Sequence, residues 1–166
     1  MAALNSKFDI LRGWPNSSAV QEDFVIGSAD HNHYQGQWVS LDATNTAGSM
    51  VTAVDLGNTI SDSDAAKCYL IIEGKDDFSA RFANRVTCLL GGGYVVRLPQ
   101  KGSTADGVEY DILAAAASTF APMQEVKVNA GVITALSGNE VNPRQSVVGQ
   151  VLAVDTNNNT IDLLVL

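Results

Sequence analysis

The stretch Asp-His-Asn-His, residues 30–33, holds the side chains best suited to binding a metal ion. Alternate residues of a strand share a face, so His31 and His33 would point the same way, with Asp30 as a nearby oxygen ligand. The sequence offers no evident third partner, and a closed metal site usually takes four ligands. We therefore interpret the stretch as a polar loop and expect neither a metal nor a cofactor.

A second stretch, Asp-Thr-Asn-Asn-Asn-Thr at residues 155–160, imitates the start of a calcium-binding loop. Asp155, Asn157 and Asn159 stand at alternate positions, as calcium ligands do. The calcium pattern also requires a glycine at its sixth position and a glutamate at its twelfth, and this sequence has neither. We predict a hairpin turn instead, because Asp and Asn favour tight turns.

The richest cluster of charged residues lies between residues 71 and 85. An enzyme could use Asp76 and Asp77 as acid and base, but neighbours on a strand point to opposite faces. Surface charge clusters are seldom catalytic, so we interpret this one as a solvated loop. The sequence also lacks a P-loop, a dinucleotide fingerprint, a His-Glu-x-x-His motif and a Gly-x-Ser-x-Gly motif. We predict that the protein is not an enzyme.

The polar side chains must be positioned mainly by β-strands. Short runs rich in β-branched or aromatic residues recur about every ten residues between Gly, Asn, Asp and Pro, which is typical of a sandwich or barrel. Residues 85–99 predict a hairpin, since Gly91, Gly92 and Gly93 can adopt the positive φ of a tight turn. Residues 111–119 predict either one or two helical turns or a strand of small residues. The expected class is all-β, a small β-barrel or sandwich of β-tulip or jelly-roll type.

Composition and charge restrict the possible partners. The formal net charge is −8, and ten Lys and Arg are spread along 166 residues, 46% of them hydrophobic. Nucleic-acid binding requires concentrated positive charge, so we expect no nucleic-acid partner and no attraction to an anionic membrane. No run approaches the roughly 20 apolar residues of a membrane helix, and the first residues do not resemble a signal peptide. These features predict a cytoplasmic protein. In that reducing compartment we expect Cys68 and Cys88 to be buried reduced thiols, with disulfide or metal roles as alternatives.

Residues 1–35 differ from the rest of the chain because they are polar and show no regular pattern. They hold too few apolar residues for a core of their own, so we predict an N-terminal arm that lies on a partner. Trp14, which precedes a proline, would anchor the arm in a groove of that partner, and Phe8 is assigned to the same contact. Residues 36–166 are predicted to form the β-barrel or sandwich domain.

Residues 146–166 predict a strand, a polar turn and a second strand. Leu163 and Leu164 would point to opposite faces of the second strand, and both faces of the hairpin are apolar. A sheet with one face in water would show one polar face. Either the hairpin is central in a closed barrel, or one face packs against another subunit. We assign Leu163, Leu164 and Leu166 to contact with a partner.

These features together resemble the head decoration, or cement, proteins of tailed bacteriophages. The resemblance rests on an acidic, cysteine-poor, all-β chain with an N-terminal arm, a late Gly-Val-Ile-Thr-Ala segment (131–135) and the terminal hairpin sequence VVGQVLAVDTNNNTIDLLVL. It is most specific over residues 122–166. In that family a small β-barrel often ends in a hairpin of this kind. The chain departs from the short decoration proteins in the additional β-strand material of residues 36–110.

The resemblance implies a structural virion protein without catalytic residues. It would bind the outer surface of an assembled capsid, often as a homotrimer, with the major capsid protein and its own copies as partners. It would clamp neighbouring capsid subunits against the pressure of packaged DNA, after assembly in the host cytoplasm. One alternative is another virion component, such as a tail, baseplate or head-fibre protein. The other is a sugar- or ligand-binding β-sandwich in which Trp14, Tyr34 and Trp38 stack on sugars.

Overall fold

The computed structural model describes residues 8–12, 21–26, 33–41, 52–55, 68–74, 85–129, 131–136 and 147–166. Over these residues the predicted all-β class is confirmed, with a short 3₁₀ turn at Ala117–Thr119. The described strands are β1 (Asp9–Arg12), β2 (Gln21–Ile26), β3 (Trp38–Leu41), β4 (Thr52–Asp55), β5 (Cys68–Glu73), β6 (Arg85–Leu89), β7 (Val95–Pro99), β8 (Lys101–Ser103), β9 (Glu109–Asp111), β10 (Glu125–Asn129), β11 (Val132–Ala135), β12 (Gly149–Asp155) and β13 (Thr160–Val165).

The strands divide between an open six-stranded sheet, a ring of five strands and a two-stranded ribbon. The six-stranded sheet has the order β1-β7-β13-β12-β10-β11. The ring has the order β2-β4-β3-β5-β6, and β6 pairs back onto β2. Its β2–β4 pairing is parallel and joins Val25 to Thr52 and Ile26 to Ala53. The terminal hairpin, β12 and β13, lies in the open sheet, so it does not close a barrel.

Two segments of the predicted N-terminal arm are strands. β1 pairs with β7 at one edge of the six-stranded sheet. β2 pairs with β6 along five consecutive residue pairs. The prediction that residues 1–35 are irregular is therefore wrong for these two segments, because their backbone hydrogen bonds are made within this chain. The run Asp-Phe-Val-Ile-Gly-Ser at 23–28 does predict a strand, and β2 confirms it over residues 23–26. The domain boundary between residues 35 and 36 stays a prediction.

The predicted hairpin at residues 85–99 is wrong in its pairing. β6 lies in the ring and β7 in the six-stranded sheet, so the two strands do not pair with each other. Gly91 and Gly93 do adopt the positive φ that the sequence predicted, 84° and 85°. The glycines form a crossover between two sheets, and each strand is flanked by other strands on both sides. Of the two alternatives for residues 111–119, a helical turn is present at Ala117–Thr119.

The main core lies between the ring and the six-stranded sheet. Trp38, Leu70 and Leu89 from the ring pack in one cluster with Val96 and Leu163 from the sheet. A second cluster lies on the opposite face of the ring strands and contains Val39, Ile71, Val86 and Cys88. Consecutive residues such as Trp38 and Val39 fall in different clusters because successive side chains of a strand point to opposite faces. Of the ring strands, β3, β5 and β6 are thus apolar on both faces.

Hydrogen bonds tie the ring to the sheet beside this core. The Trp38 backbone N–H donates to the Gly131 carbonyl at 2.9 Å, just before β11. The Gln37 side-chain amide donates to the Asp111 carbonyl at 3.1 Å, at the end of β9. The ring and the six-stranded sheet are therefore joined by a shared apolar core and by a backbone hydrogen bond, and the segment before β3 is also bonded to the β8–β9 ribbon.

Candidate interaction surface

The terminal hairpin forms the centre of the six-stranded sheet. β13 pairs with β12 on one side and with β7 on the other. Ile161 and Leu163 are 0% exposed and Val165 is 5% exposed, as expected for alternate residues of one strand that share a buried face. This inner face lies in the main core. Because all three side chains are enclosed by their own chain, the inner face cannot supply a contact to a partner.

The opposite face of the hairpin carries Leu164. Leu164 is half-buried and lies between Gln150 of β12 and Val95 of β7 in the pairing register. Leu163 is its fully buried neighbour, so its assignment to a partner contact is corrected: Leu163 is a core residue. Of the two leucines, Leu164 remains as the candidate for contact with a partner. The sequence alone could not choose between them, since both faces are apolar.

A β-bulge exposes a second leucine on this face. The pairing of β12 with β13 shifts between Val151 and Ala153, which leaves Leu152 without a direct partner. Val151 is 0% exposed, whereas Leu152 is 36% exposed and Ala153 is also exposed. The sequence predicts one face for Val151 and Ala153, because strict alternation does not anticipate an extra residue. The bulge moves Ala153 outward instead.

Met123 lies beside the bulge and is the most exposed large apolar side chain near the hairpin, at 70%. Its backbone N–H donates to the Val151 carbonyl at 2.8 Å, and the Gln150 side-chain amide donates to the Met123 carbonyl at 3.2 Å. Its φ is 69°, in the left-handed region that a residue with a Cβ rarely occupies. The fold thus holds an exposed methionine in a strained conformation, a combination found at functional surfaces.

We define the outer patch as Met123, Leu152, Leu164 and Leu166. Leu166 is 63% exposed, and its backbone packs against Gly92, where no side chain would fit. The sequence predicted two members, Leu164 and Leu166. The sequence did not predict Met123 or Leu152 as members. The exposure of Leu152 depends on the bulge, and that of Met123 depends on the conformation of its loop. Nothing in the sequence around Met123 or Leu152 indicates the bulge or the left-handed loop conformation.

An ion pair borders the outer patch. Arg97 and Asp162 face each other across β7 and β13, on the same side of the sheet as Leu164. Arg97 Nε donates to Asp162 Oδ1 at 2.8 Å, and its terminal nitrogen donates to Oδ2 at 2.9 Å. A two-point Arg–carboxylate pair has a fixed geometry. The outer face therefore combines apolar side chains with a rigid polar border, which is the usual anatomy of a protein–protein interface.

The other residues assigned to a partner contact fall elsewhere. Phe8 is half-buried and packs against the main core, so at least part of its ring is used within the chain. Trp14 lies outside the described residues, and its predicted role stays a prediction. Cys88 carries a buried thiol, as predicted, while the side chain of Cys68 is outside the description.

The stretches considered for chemistry give no site in the part of the chain that is described. His33 is buried, 8% exposed, whereas Asp30 and His31 lie outside the described residues. Among described residues, no three His, Cys, Asp or Glu are placed to hold a metal ion. Of the charged stretch, Glu73 accepts a hydrogen bond from the Thr87 hydroxyl at 3.1 Å, and Asp76 and Asp77 are outside the description.

The stretch at 155–160 is a hairpin turn, as predicted. Asp155 Oδ1 accepts the backbone N–H groups of Asn157 and Asn158 at 3.0 and 3.1 Å, and its Oδ2 accepts the Asn158 side-chain amide at 2.7 Å. The amide of Asn158, followed by these backbone donors, lowers the pKa of Asp155 below its ordinary value. The carboxylate thus organises the turn through hydrogen bonds within the protein.

Comparison with protein-family models, with curated proteins and with solved structures finds no match to this chain. Over the residues described, the structure also contains no helix with the length and apolar character needed to cross a membrane.

Proposed function

We propose that this protein is a structural component of a bacteriophage virion that binds the outer surface of the capsid. In this proposal it stabilises the particle by clamping neighbouring subunits of the major capsid protein, and it acts without catalysis. It would be assembled onto the capsid in the host cytoplasm. The observation that carries the proposal is the terminal hairpin, which buries one face in its own core and presents an outer patch on the other.

The outer patch supplies the physical reason for association. Leu164 and Leu152 lie near the middle of the sheet face, and removing apolar surface from water yields about 25 cal/mol per Å². Such area offsets the cost of association when the contact reaches a standard interface size of roughly 1,600 Å² in total. The patch supports a contact with a further copy of the chain, in a homotrimer, or with the major capsid protein.

Another virion location, such as the tail, the baseplate or a head fibre, would use the same kind of surface. Antibodies against the purified chain, applied to intact phage virions and viewed by electron microscopy, distinguish these locations. Label distributed over the capsid surface is the expected result. Label restricted to the tail or baseplate would replace the proposal by that alternative, and virions that lack the chain would refute both.

The surface itself is tested by substitution. Leu164→Asp should leave the chain folded, because Leu164 is half-buried on the outer face, and should abolish both self-association in light scattering and co-sedimentation with capsids. Val108→Asp is the matched control, since Val108 is 63% exposed and belongs to the separate β8–β9 ribbon. If Leu164→Asp and Val108→Asp retain association equally, the outer patch is not the interface.

A further inference from the structure

A groove of about 430 Å³ lies between Phe8 and the β8–β9 ribbon. This volume falls within the roughly 300–1,000 Å³ typical of small-molecule sites. Its apolar lining includes Phe8, Tyr110 and Ile112, and its polar lining includes Lys101 and Glu109. The groove is separate from the outer patch, with which it shares no residue. It combines ring surfaces with charged and hydrogen-bonding groups in one concave site.

The wall of the groove is held in place by contacts of Tyr110. Its ring stacks on Tyr34 with a centroid distance of 4.5 Å and an interplanar angle of 20°. Its hydroxyl donates to the Gln35 carbonyl at 3.2 Å. The Gln35 side-chain amide in turn donates to the Ile72 carbonyl at 2.9 Å, and a side chain at Gly102 would collide with the Tyr110 ring. A ligand would therefore meet a preformed wall.

The charges at the groove balance each other. Lys101 Nζ and Glu109 Oε2 lie 3.1 Å apart, and their side chains are 48% and 67% exposed. The hydrogen bond that Lys101 donates to Glu109, together with the charge of that carboxylate, raises the pKa of Lys101 above its ordinary value. An exposed pair of this kind adds little to stability, which leaves both groups able to turn toward a ligand.

We propose that this groove binds one unit of a neutral saccharide. Sugar hydroxyls both donate and accept hydrogen bonds, so one hydroxyl can donate to Glu109 while another accepts from Lys101. The C–H face of the sugar ring would pack against the apolar wall at Phe8. A polar, uncharged ligand fits because an anion would be repelled by Glu109, a cation would be repelled by Lys101, and a wholly apolar ligand would remove the ion pair from water at a desolvation cost.

The test uses the full chain and ligand-observed saturation-transfer NMR with glucose, galactose, mannose and N-acetylglucosamine. At least one sugar should receive saturation, with glycerol as a control for generic polyol contact. Lys101→Ala and Glu109→Ala should each weaken that sugar's affinity at least tenfold. Phe8→Leu, which keeps an apolar side chain in the core, should also weaken it. Val108→Thr, in the same ribbon but outside the groove lining, is the matched control and should have no effect.

Two outcomes would overturn the proposal. The first is that none of the four sugars receives saturation. The second is that binding is unchanged in Lys101→Ala and Glu109→Ala, with circular dichroism showing that both variants are folded. This site does not depend on the proposed capsid role, because Leu164→Asp should lose association and still bind the sugar. A failure of one proposal is therefore distinguishable from a failure of the other.

Discussion

Leu163 and Leu164 are neighbours in β13, yet one belongs to the core and the other to the outer face of the same sheet. Leu163 is 0% exposed and lies opposite Val151 and Val96 in the pairing register. Leu164 is half-buried opposite Gln150 and Val95. One step along the backbone thus separates a residue that maintains the fold from one that stays partly exposed on the outer face.

Truncation of the two leucines should have unequal effects on stability. Leu163→Ala is expected to lower the free energy of unfolding by about 2–5 kcal/mol, because it removes buried methyl groups and leaves a cavity. Leu164→Ala should cost clearly less, since part of its side chain already contacts water. Urea denaturation of both variants measures the difference. Equal losses would mean that the faces of β13 are assigned wrongly.

Met123→Gly should separate stability from association. Glycine adopts positive φ without strain, so we expect the free energy of unfolding to stay the same or to rise by up to about 1 kcal/mol. The backbone bonds of residue 123 to Val151 and Gln150 are retained in this variant. Association should nevertheless weaken, because the exposed side chain is lost. Thermal melting and light scattering report the two effects, and unchanged association would remove Met123 from the outer patch.

Asn159 joins three parts of the fold, and its replacement should be costly. Its side-chain oxygen accepts the Ala117 N–H at 2.7 Å, its amide donates to the Gln100 side chain, and its φ is 55°. Asn159→Ala should lower the free energy of unfolding by about 2–3 kcal/mol, from lost hydrogen bonds and from backbone strain. Asn159→Gly keeps the conformation and should cost less. Chemical denaturation of both variants separates the contribution of the side-chain hydrogen bonds from that of the backbone strain. An equal loss of unfolding free energy in the two variants would assign the whole effect to the side-chain hydrogen bonds.

Asp155 should make stability depend on pH on the acid side. Its folded-state pKa lies below the ordinary value of 3.8, so the folded protein favours the carboxylate. The resulting stabilisation is fully present above that value and is lost as the pH falls through the lower, folded-state pKa. Asp155→Asn lacks this titration, so the stability advantage of the native chain should shrink between pH 7 and about pH 2.5. Melting curves of both proteins across this range test it, and a constant difference would contradict the role of the carboxylate.

Sequence patterns located the strands well but did not reveal their partners. The runs at 95–99 and 160–165 are strands, as expected of short apolar runs bounded by turn residues. The turn at Asp155 follows from hydrogen bonds between its carboxylate and the backbone N–H groups of Asn157 and Asn158. Local pattern indicates where a strand runs; it does not identify the strand on the other side of a hydrogen bond. This explains why the glycines at 91–93 were predicted to join paired strands, whereas they link two sheets.

The candidate surface was predictable to the same limited extent. Leu164 and Leu166 follow from the two-sided apolar pattern of the last strand. The exposure of Leu152 results from a bulge, and that of Met123 from a left-handed backbone conformation, and neither has a marker in the sequence. The strand at Asp9–Arg12 was missed because Asp-Ile-Leu-Arg is too short to show a period. Its pairing with β7 is a long-range contact that local propensity cannot report.

The order of strands in the six-stranded sheet has a consequence for synthesis of the chain. β13 lies between β7 and β12, so the strand that joins the two halves of the sheet is the last of the described strands to leave the ribosome. Until β13 is present, the sheet consists of two parts, β1-β7 and β12-β10-β11. No strand-pairing hydrogen bonds join these two parts. Closing such distant contacts is entropically costly and slow. This layer therefore cannot be completed before β13 has been synthesised, and a chain that stops before β13 would yield two separated sheet fragments in place of a smaller sheet.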